Sequence, residues 1–233
     1  MFGAADASGA NDPDCVGSIE LWHPSLVPAN QASLPYQRVN TATDYDADPA
    51  KFPAYLRFDG VDDGMMTSAI TPGTDKAQFF AGLEKLSDAA FQVIAETGTG
   101  TQTGTISLSA SLLRGTRQSW AAGVLGTTSC AGGAYGFPAP DKRVLTALLD
   151  IAGSTSTEAV RLRLNGVSQT LNYASTASAG TGVLGTYPLY IGRRSSGSFP
   201  LNGRLYGLIV RFGAPPPPQT IADTEDWLNQ RMA

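Results

Sequence analysis

The sequence predicts an all-β protein, an antiparallel β-sandwich that ends in a short helix. Its 233 residues include 26 Gly and 15 Pro, and only 15% of them are charged. This composition indicates many turns between short strands rather than long amphipathic helices. Hydrophobic residues make up 42% of the chain. That fraction is enough to cover both inner faces of one large sandwich.

The N-terminus is predicted to stand apart from the sandwich. Residues 1–13 are small and polar. Such a composition is typical of a flexible arm. We therefore expect an arm at 1–13 and a single domain at 14–233 that includes a C-terminal helix.

Short segments of strand character follow one another along the chain. Each is bounded by Gly, Pro, Ser or Thr, as strands joined by turns require. The predicted strands are 55–58, 91–96, 105–110, 119–125, 144–151, 188–192 and 204–212. Residues 77–86 fit a strand or a helix by periodicity alone. They are assigned to a strand on the resemblance described below.

The segment 159–167 predicts a β-hairpin. Val160, Leu162 and Leu164 alternate with two arginines, which is the period of a half-buried strand. The dipeptide Asn165-Gly166 then supplies the two positive-φ positions of a type I′ turn. Residues 169–173 are expected to form the returning strand.

A helix is predicted at 220–232. Thr220 and Asp223 resemble a capping box, and apolar residues recur after them at helical spacing. The prolines at 215–218 cannot donate to a sheet ladder, so the last strand should end near Gly213. These prolines are interpreted as a stiff connector.

Charge and hydropathy exclude several classes of partner. The net charge is −4 and the pI is about 4.9. Binding to nucleic acid is therefore not expected, because phosphate neutralisation needs an excess of Lys and Arg. No apolar run approaches a membrane span, and residues 1–10 lack the basic start of a signal peptide. We expect neither membrane insertion nor a signal peptide.

Two cysteines, Cys15 and Cys130, belong to no metal-binding spacing. Two buried free thiols are the preferred interpretation. A disulfide between them would require an oxidising compartment.

Two stretches resemble the laminin-G-like domains of the concanavalin A-like superfamily. Residues 55–66, which contain FDGVDDGM, are similar to that family's L-x-F-D-G-x-D-D strand and turn. Residues 189–210, which contain LYIGRR and LNGRLYGLIV, are similar to its late strands, after which a short acidic helix closes the domain. The resemblance covers the chain from about Tyr55 to its end, and implies a jelly-roll β-sandwich. The amino-acid sequences of these two stretches are most similar to the versions carried by bacteriophage proteins.

The sequence contains no catalytic constellation. Glycanases of this superfamily place two carboxylates on one strand as E-x-D-x-E or E-x-D-x-x-E, a spacing absent here. Glu225 and Asp226 are adjacent in the chain, and adjacent side chains should diverge, so these two carboxylates are not expected to act on one glycosidic bond. His23 is the only histidine and is interpreted as a loop residue. The Gly-rich segment 180–185 precedes a strand, whereas a dinucleotide fingerprint needs a helix there. We expect no enzyme activity and no cofactor.

Calcium is the only candidate metal, and Asp59, Asp62 and Asp63 are its weak candidate ligands. Asp-Gly sequences also cap turns through side-chain hydrogen bonds without an ion. Turn structure is therefore the preferred interpretation of these three residues. Asp44, Asp46 and Asp48 begin like an EF-hand loop, but that loop's glycine and final glutamate are missing.

Three tryptophans and four arginines are candidate ligand-binding groups. Trp22, Trp120 and Trp227 could stack on sugar rings, but core packing or helix docking is expected for Trp120 and Trp227. The arginines are interpreted as a solvated sheet edge. They are Arg193, Arg194, Arg204 and Arg211.

The resemblance implies a non-enzymatic structural or adhesive component of a bacteriophage virion, either a capsid decoration or a tail, fibre or spike protein. Its partners would be other virion proteins, in a homo-oligomer for which a trimer is one option, assembled in the host cytoplasm. The alternative is a carbohydrate-binding module that contacts a host surface glycan. An exposed aromatic residue beside paired Asp and Asn would favour that alternative.

Overall fold

The computed structural model describes residues 55–98, 102–111, 118–173 and 178–232. These residues belong to one compact unit, Pro53–Ala233. The predicted arm at 1–13 and the expected start of the domain at residue 14 lie outside the described residues. Among the described helices, none is long and apolar enough to cross a membrane.

The described part of the chain is dominated by short strands. In chain order they are β1 Leu56–Asp59, β2 Met65–Ile70, β3 Lys76–Lys85, β4 Val93–Thr97, β5 Thr105–Ser109, β6 Ser119–Leu125, β7 Ser129–Tyr135, β8 Asp141–Asp150, β9 Val160–Leu164, β10 Val167–Ser168, β11 Asn172–Tyr173, β12 Tyr187–Ile191 and β13 Asn202–Phe212. The helices are α1 Ser156–Ala159 and α2 Pro218–Met232.

The strands form two antiparallel sheets. The first has the order β1-β13-β3-β8-β9-β10, and the second has the order β11-β7-β6-β5-β4-β12-β2. Many neighbours are distant in sequence, as in a jelly roll. The predicted fold class, an antiparallel jelly-roll sandwich with a short C-terminal helix, is confirmed.

The main core lies between the two sheets. Its fully buried members include Phe79, Leu83, Ile94, Trp120 and Leu162. The ambiguous segment 77–86 is confirmed as a strand, because β3 forms the centre of the six-stranded sheet and pairs with both β8 and β13.

The outer face of the six-stranded sheet is covered by α2. Leu228 and Met232 of α2 pack with Phe80 and other apolar residues of this face. A Cβ atom on Gly207 would lie 2.7 Å from Leu228, and one on Gly82 would lie 2.8 Å from Met232. These two glycines therefore allow the helix to approach the sheet closely.

The predicted start of this helix is wrong by two residues. The helix begins at Pro218 rather than Thr220, because proline is well tolerated in a first turn that has no use for its missing N–H. Asp223 accepts a hydrogen bond from Gln219 at 2.9 Å. Thr220 is thus an internal helical residue and not the cap.

The predicted hairpin turn is confirmed, but its returning strand is shorter than expected. Asn165 and Gly166 have φ values of 47° and 79°. Val167 and Ser168 pair back onto β9, and the N–H of Gln169 donates to the carbonyl oxygen of Leu162 at 2.9 Å. The chain then crosses to the other sheet, where β11 pairs with β7, so residues 170–173 do not continue the hairpin.

A β-bulge changes which residues of β13 face the core. Leu205 is buried in the main core. The register then shifts between Leu205 and Gly207, so Gly207 and Ile209 face α2 instead of the core. Leu208 and Val210 take the inward positions. A bulge inserts one residue and so reverses the alternation beyond it.

Candidate functional site

A groove lies between α2 and the β9–β10 hairpin. It encloses about 400 Å³. Sites for small ligands commonly fall in the range of about 300 to 1,000 Å³. Five of its eight lining residues are polar, and the lining comprises Val144, Arg163, Asn165, Gly166, Ala222, Glu225, Asp226 and Asn229. We call it the helix–hairpin groove.

An ion pair joins the two walls of this groove. Arg163 Nε donates to Glu225 Oε1 at 2.8 Å, and Arg163 Nη2 donates to Oε2 at 3.0 Å. The Glu225 side chain is only 6% exposed, against 28% for Arg163. The hydrogen bond to Glu225 raises the pKa of the Arg163 guanidinium above its ordinary value. The pair therefore fixes the helix against the hairpin and sets the width of the groove.

The type I′ turn supplies the rim of the groove. Asn165 Oδ1 accepts a hydrogen bond from the backbone N–H of Val144 at 2.8 Å. This bond fixes the amide plane of Asn165 at the edge of the groove. The amide nitrogen of Asn165 has no recorded partner among the described residues and can donate to a ligand.

The helical wall offers further polar groups. Ala222, Asp226 and Asn229 are spaced by four and three residues, so they lie on one face of α2. Asp226 and Asn229 are exposed, and Ala222 leaves space between them and the hairpin. Carboxylate acceptors and amide groups arranged in this way suit a ligand that carries several hydroxyl groups.

Glu225 and Asp226 both line this groove, but their side chains have different surroundings. Glu225 is largely buried and engaged by Arg163, whereas Asp226 is exposed. The two carboxylates therefore differ in environment, and only Asp226 is open to a ligand.

A second, smaller groove crosses the outer face of the seven-stranded sheet and encloses about 110 Å³. Its floor carries small residues such as Ser107 and Gly123. At one side, Arg194 forms a bidentate ion pair with the fully buried carboxylate of Glu96, with bonds of 2.6 and 2.8 Å. The prediction of a solvated arginine edge is therefore wrong for Arg194, whose side chain is 15% exposed.

The three candidate calcium ligands lie together at the surface. The ligand oxygens of Asp59, Asp62 and Asp63 are within 4.8 Å of one another. Asp59 Oδ1 accepts from the N–H of Val61 at 2.8 Å, and Asp63 Oδ2 accepts from the N–H of Asp59 at 3.0 Å. These bonds account for the turn without an ion, and a calcium site remains an untested prediction.

The tryptophans differ in their roles. Trp120 is fully buried, as predicted, and its indole N–H donates to Asp141 at 2.7 Å. Trp227 is 43% exposed and lies over Gly207 of the sheet, so it is not a core residue and instead contributes to helix docking, the other role predicted for it. The neighbouring Leu228 takes the buried position of α2 instead.

Of the other candidate residues, the structure describes Cys130. Cys130 is a free, buried thiol, as predicted. Burial raises its pKa to about 11. Cys15, Trp22, His23 and the acidic run at 44–48 lie outside the described residues.

The sequence did not reveal the helix–hairpin groove. Its two walls are about 60 residues apart in the chain, and no local motif joins them. Two signals were present: an asparagine at a positive-φ turn position, and the i, i+4, i+7 spacing of Ala222, Asp226 and Asn229. Neither signal indicates that the two elements meet.

No protein-family model matches the chain, and no curated protein matches it either. Solved structures do share its fold. A native heptameric SAP-like pentraxin from Limulus polyphemus superposes with a TM-score of 0.51 at 10% identity, over 71% of this chain and 78% of the pentraxin. The binding domain of botulinum neurotoxin DC, solved in complex with rat synaptotagmin II, gives 0.50 at 6% identity, over 71% of this chain and 40% of the toxin chain.

A third similar structure is the Ruminococcus gnavus IT-sialidase CBM40 bound to α2,3-sialyllactose. It gives a TM-score of 0.47 at 15% identity, over 70% of this chain and 96% of that domain. At identities this low, the likeness to the pentraxin and to the toxin's binding domain supports the sandwich fold and says nothing about the ligand.

Proposed function

We propose that this domain is a non-enzymatic binding module that takes a carbohydrate in the helix–hairpin groove. The observation that carries the proposal is the clustering of Asn165, Asp226 and Asn229 around a groove of about 400 Å³. Paired amide and carboxylate groups can each bind two neighbouring hydroxyls of a sugar ring. The groove is large enough for one or two such rings.

The groups that line the groove support binding rather than catalysis. The carboxylate of Glu225 is engaged by Arg163 in two hydrogen bonds. Asp226 then has no free carboxylate partner among the described groove residues, whereas glycoside hydrolysis uses two carboxyl groups that flank one bond. A rigid ion pair suits recognition, because the walls need not reorganise when a ligand binds.

The test is a glycan array, followed by titration calorimetry with any oligosaccharide retained. The array should carry α2,3- and α2,6-sialyllactose beside neutral and bacterial surface oligosaccharides. Ala222→Trp fills the groove and Asn229→Ala removes an amide, so each should weaken binding about tenfold or more, or 1.4 kcal/mol. Gln230→Ala alters the next residue, which does not line the groove, and should leave affinity unchanged.

Two outcomes contradict the proposal. The domain binds no oligosaccharide on the array, or it binds one with an affinity that Ala222→Trp and Asn229→Ala leave intact. Release of a shortened sugar from a retained oligosaccharide, abolished by Asp226→Asn, would contradict the non-enzymatic part.

We further propose that the module serves in a bacteriophage virion, as an adhesive or structural part assembled in the host cytoplasm. The support is the resemblance of the FDGVDDGM and LNGRLYGLIV stretches to those of bacteriophage proteins, and nothing else. In that setting residues 1–13 would attach the domain to other virion proteins. Deletion of residues 1–10 should leave the domain folded but reduce its incorporation into particles, measured by immunoblotting of purified virions. Incorporation at the level of the full chain would contradict this role of the arm.

A further inference from the structure

A second surface, unrelated to either groove, lies on the outer face of the six-stranded sheet beside α2. It contains three aromatic side chains. The rings of Tyr55 and Tyr206 are 5.5 Å apart between centroids. Trp227 of α2 lies over Gly207, the residue after Tyr206, where an added Cβ would be 3.7 Å from the indole ring. Tyr55 and Trp227 are 45% and 43% exposed.

A Lys or Arg side chain lies over each of these aromatic rings. Arg204 lies 5.2 Å from the centre of the Tyr55 ring, Lys142 lies 4.7 Å from that of Tyr206, and Arg231 lies 4.7 Å from that of Trp227. We call the three rings and their three cations the aromatic patch. Arg204 is also paired with Glu84 at 2.9 Å. Arg231 has no recorded ion pair among the described residues.

This composition is that of a protein interface. Tyr, Trp and Arg are the residues enriched at binding hot spots, where large rings lose contact with water. The patch is also positively charged on a chain whose net charge is −4. Its partner should therefore present negative charge.

The chain itself carries a matching surface. The turn after β1 holds Asp59, Asp62 and Asp63, whose carboxylate oxygens lie within 4.8 Å of one another. Within the described residues, no Lys or Arg forms an ion pair with any of the three. The acidic turn therefore has unpaired negative charge where the aromatic patch has unpaired positive charge.

The positions of the two surfaces allow a reciprocal contact. Tyr55 precedes β1 and Asp59 ends it, and a strand of four residues spans about 13 Å. In a two-fold dimer, a contact between patch and turn is made twice, once by each copy. We propose that a second copy of this chain docks its acidic turn on the aromatic patch, so that two chains form a two-fold dimer through two equivalent contacts.

Sedimentation velocity of the purified full chain over a concentration series tests this inference. The wild type should reach twice the 24.3 kDa mass of one chain. It should dissociate more readily in about 1 M NaCl, where charges are screened beyond about 3 Å. Trp227→Ala should weaken the dimer about tenfold or more. Val167→Ala removes another exposed apolar side chain, distant from the patch, and should leave the dimer unchanged.

A charge exchange separates the proposed contact from a general loss of structure. Arg231→Glu and Asp62→Lys should each weaken the dimer, and a chain that carries both substitutions should recover it. Thermal melting checks that each variant is folded.

A wild type that remains monomeric, or a dimer that survives Trp227→Ala and Arg231→Glu together, would overturn the inference. Failure of the double exchange to restore a dimer would also overturn the pairing with the acidic turn. Loss of glycan binding in Trp227→Ala, with the mass unchanged, would assign the patch to a sugar instead. The mass measurements do not depend on the helix–hairpin groove.

Discussion

Arg163 and Glu225 join the β9–β10 hairpin to α2 through two parallel hydrogen bonds of 2.8 and 3.0 Å. They are 62 residues apart in the chain. The carboxylate is almost fully buried, while the guanidinium is partly exposed. Removing the cation from a largely buried carboxylate is unfavourable, because the charge is left without its partner.

Arg163→Met should therefore destabilise the protein by about 1 to 3 kcal/mol, less than for a fully buried pair because Arg163 is partly exposed. The control is Arg161→Met, which changes an exposed arginine two residues away on the same strand. It should cost less than about 0.5 kcal/mol. Urea unfolding of both variants measures the difference, and equal costs would contradict a special role for the Arg163–Glu225 pair.

Gly166→Val should cost about 1 to 3 kcal/mol, because a β-branched side chain resists the φ of 79° at this position. Ser168→Val places the same side chain on an exposed strand residue two positions later and should be nearly neutral. The measurement is again the free energy of unfolding. A fully stable Gly166→Val variant would refute the assignment of the type I′ turn.

Cys130 should resist thiol reagents in the folded protein. Its pKa is raised from 9.0 to about 11 by burial, so the native thiol is neutral at pH 8 and is inaccessible as well. A Cys15→Ser variant isolates the reaction of Cys130 with a disulfide reagent. Rapid reaction at pH 8 without denaturant would contradict the burial of this thiol.

The burial of Cys130 also makes the stability of the protein decrease as pH rises. Because the pKa of the folded state is the higher one, the unfolded thiol ionises first as pH rises. The contribution of Cys130 to stability is complete below about pH 9 and decreases between about 9 and 11. Cys130→Ala should therefore show a smaller loss of stability than the wild type over this range.

Thermal melting should be the same in calcium and in chelator. The turn hydrogen bonds of Asp59 and Asp63 account for the local structure without an ion. An ion bound only by the folded state would raise the melting temperature by mass action. A rise of several degrees in calcium, removed by Asp62→Asn, would establish a site at Asp59, Asp62 and Asp63.

Much of the fold was predictable because its signals are local. Alternation from Val160 to Leu164 and the following Asn165-Gly166 turn specify a hairpin without tertiary information. Two strands were not predicted because they lack such local signals. β7, with the sequence SCAGGAY, is rich in Gly and Ala, which have low strand propensity. β2, with the sequence MMTSAI, has mostly exposed residues and no clear alternation.

Other features could not be predicted because they depend on tertiary contacts. The bulge in β13 turns Gly207 and Ile209 toward α2. Trp227 and Leu228 are adjacent and apolar, so the helical period alone did not decide which one is buried. The groove exists only where β9 and α2 meet, and so it has no signature in either segment.

The most direct test of carbohydrate binding in the helix–hairpin groove is chemical-shift mapping of the ¹⁵N-labelled domain during titration with the oligosaccharide retained on the array. The backbone amides of Asn165, Gly166, Ala222, Asp226 and Asn229 should shift together and saturate with one dissociation constant. The amides of Ser107 and Gly123, in the groove on the opposite sheet, should not move. Shifts confined to Ser107, Gly123 and their neighbours, or none at saturating sugar, would contradict the assignment of the helix–hairpin groove as the binding site.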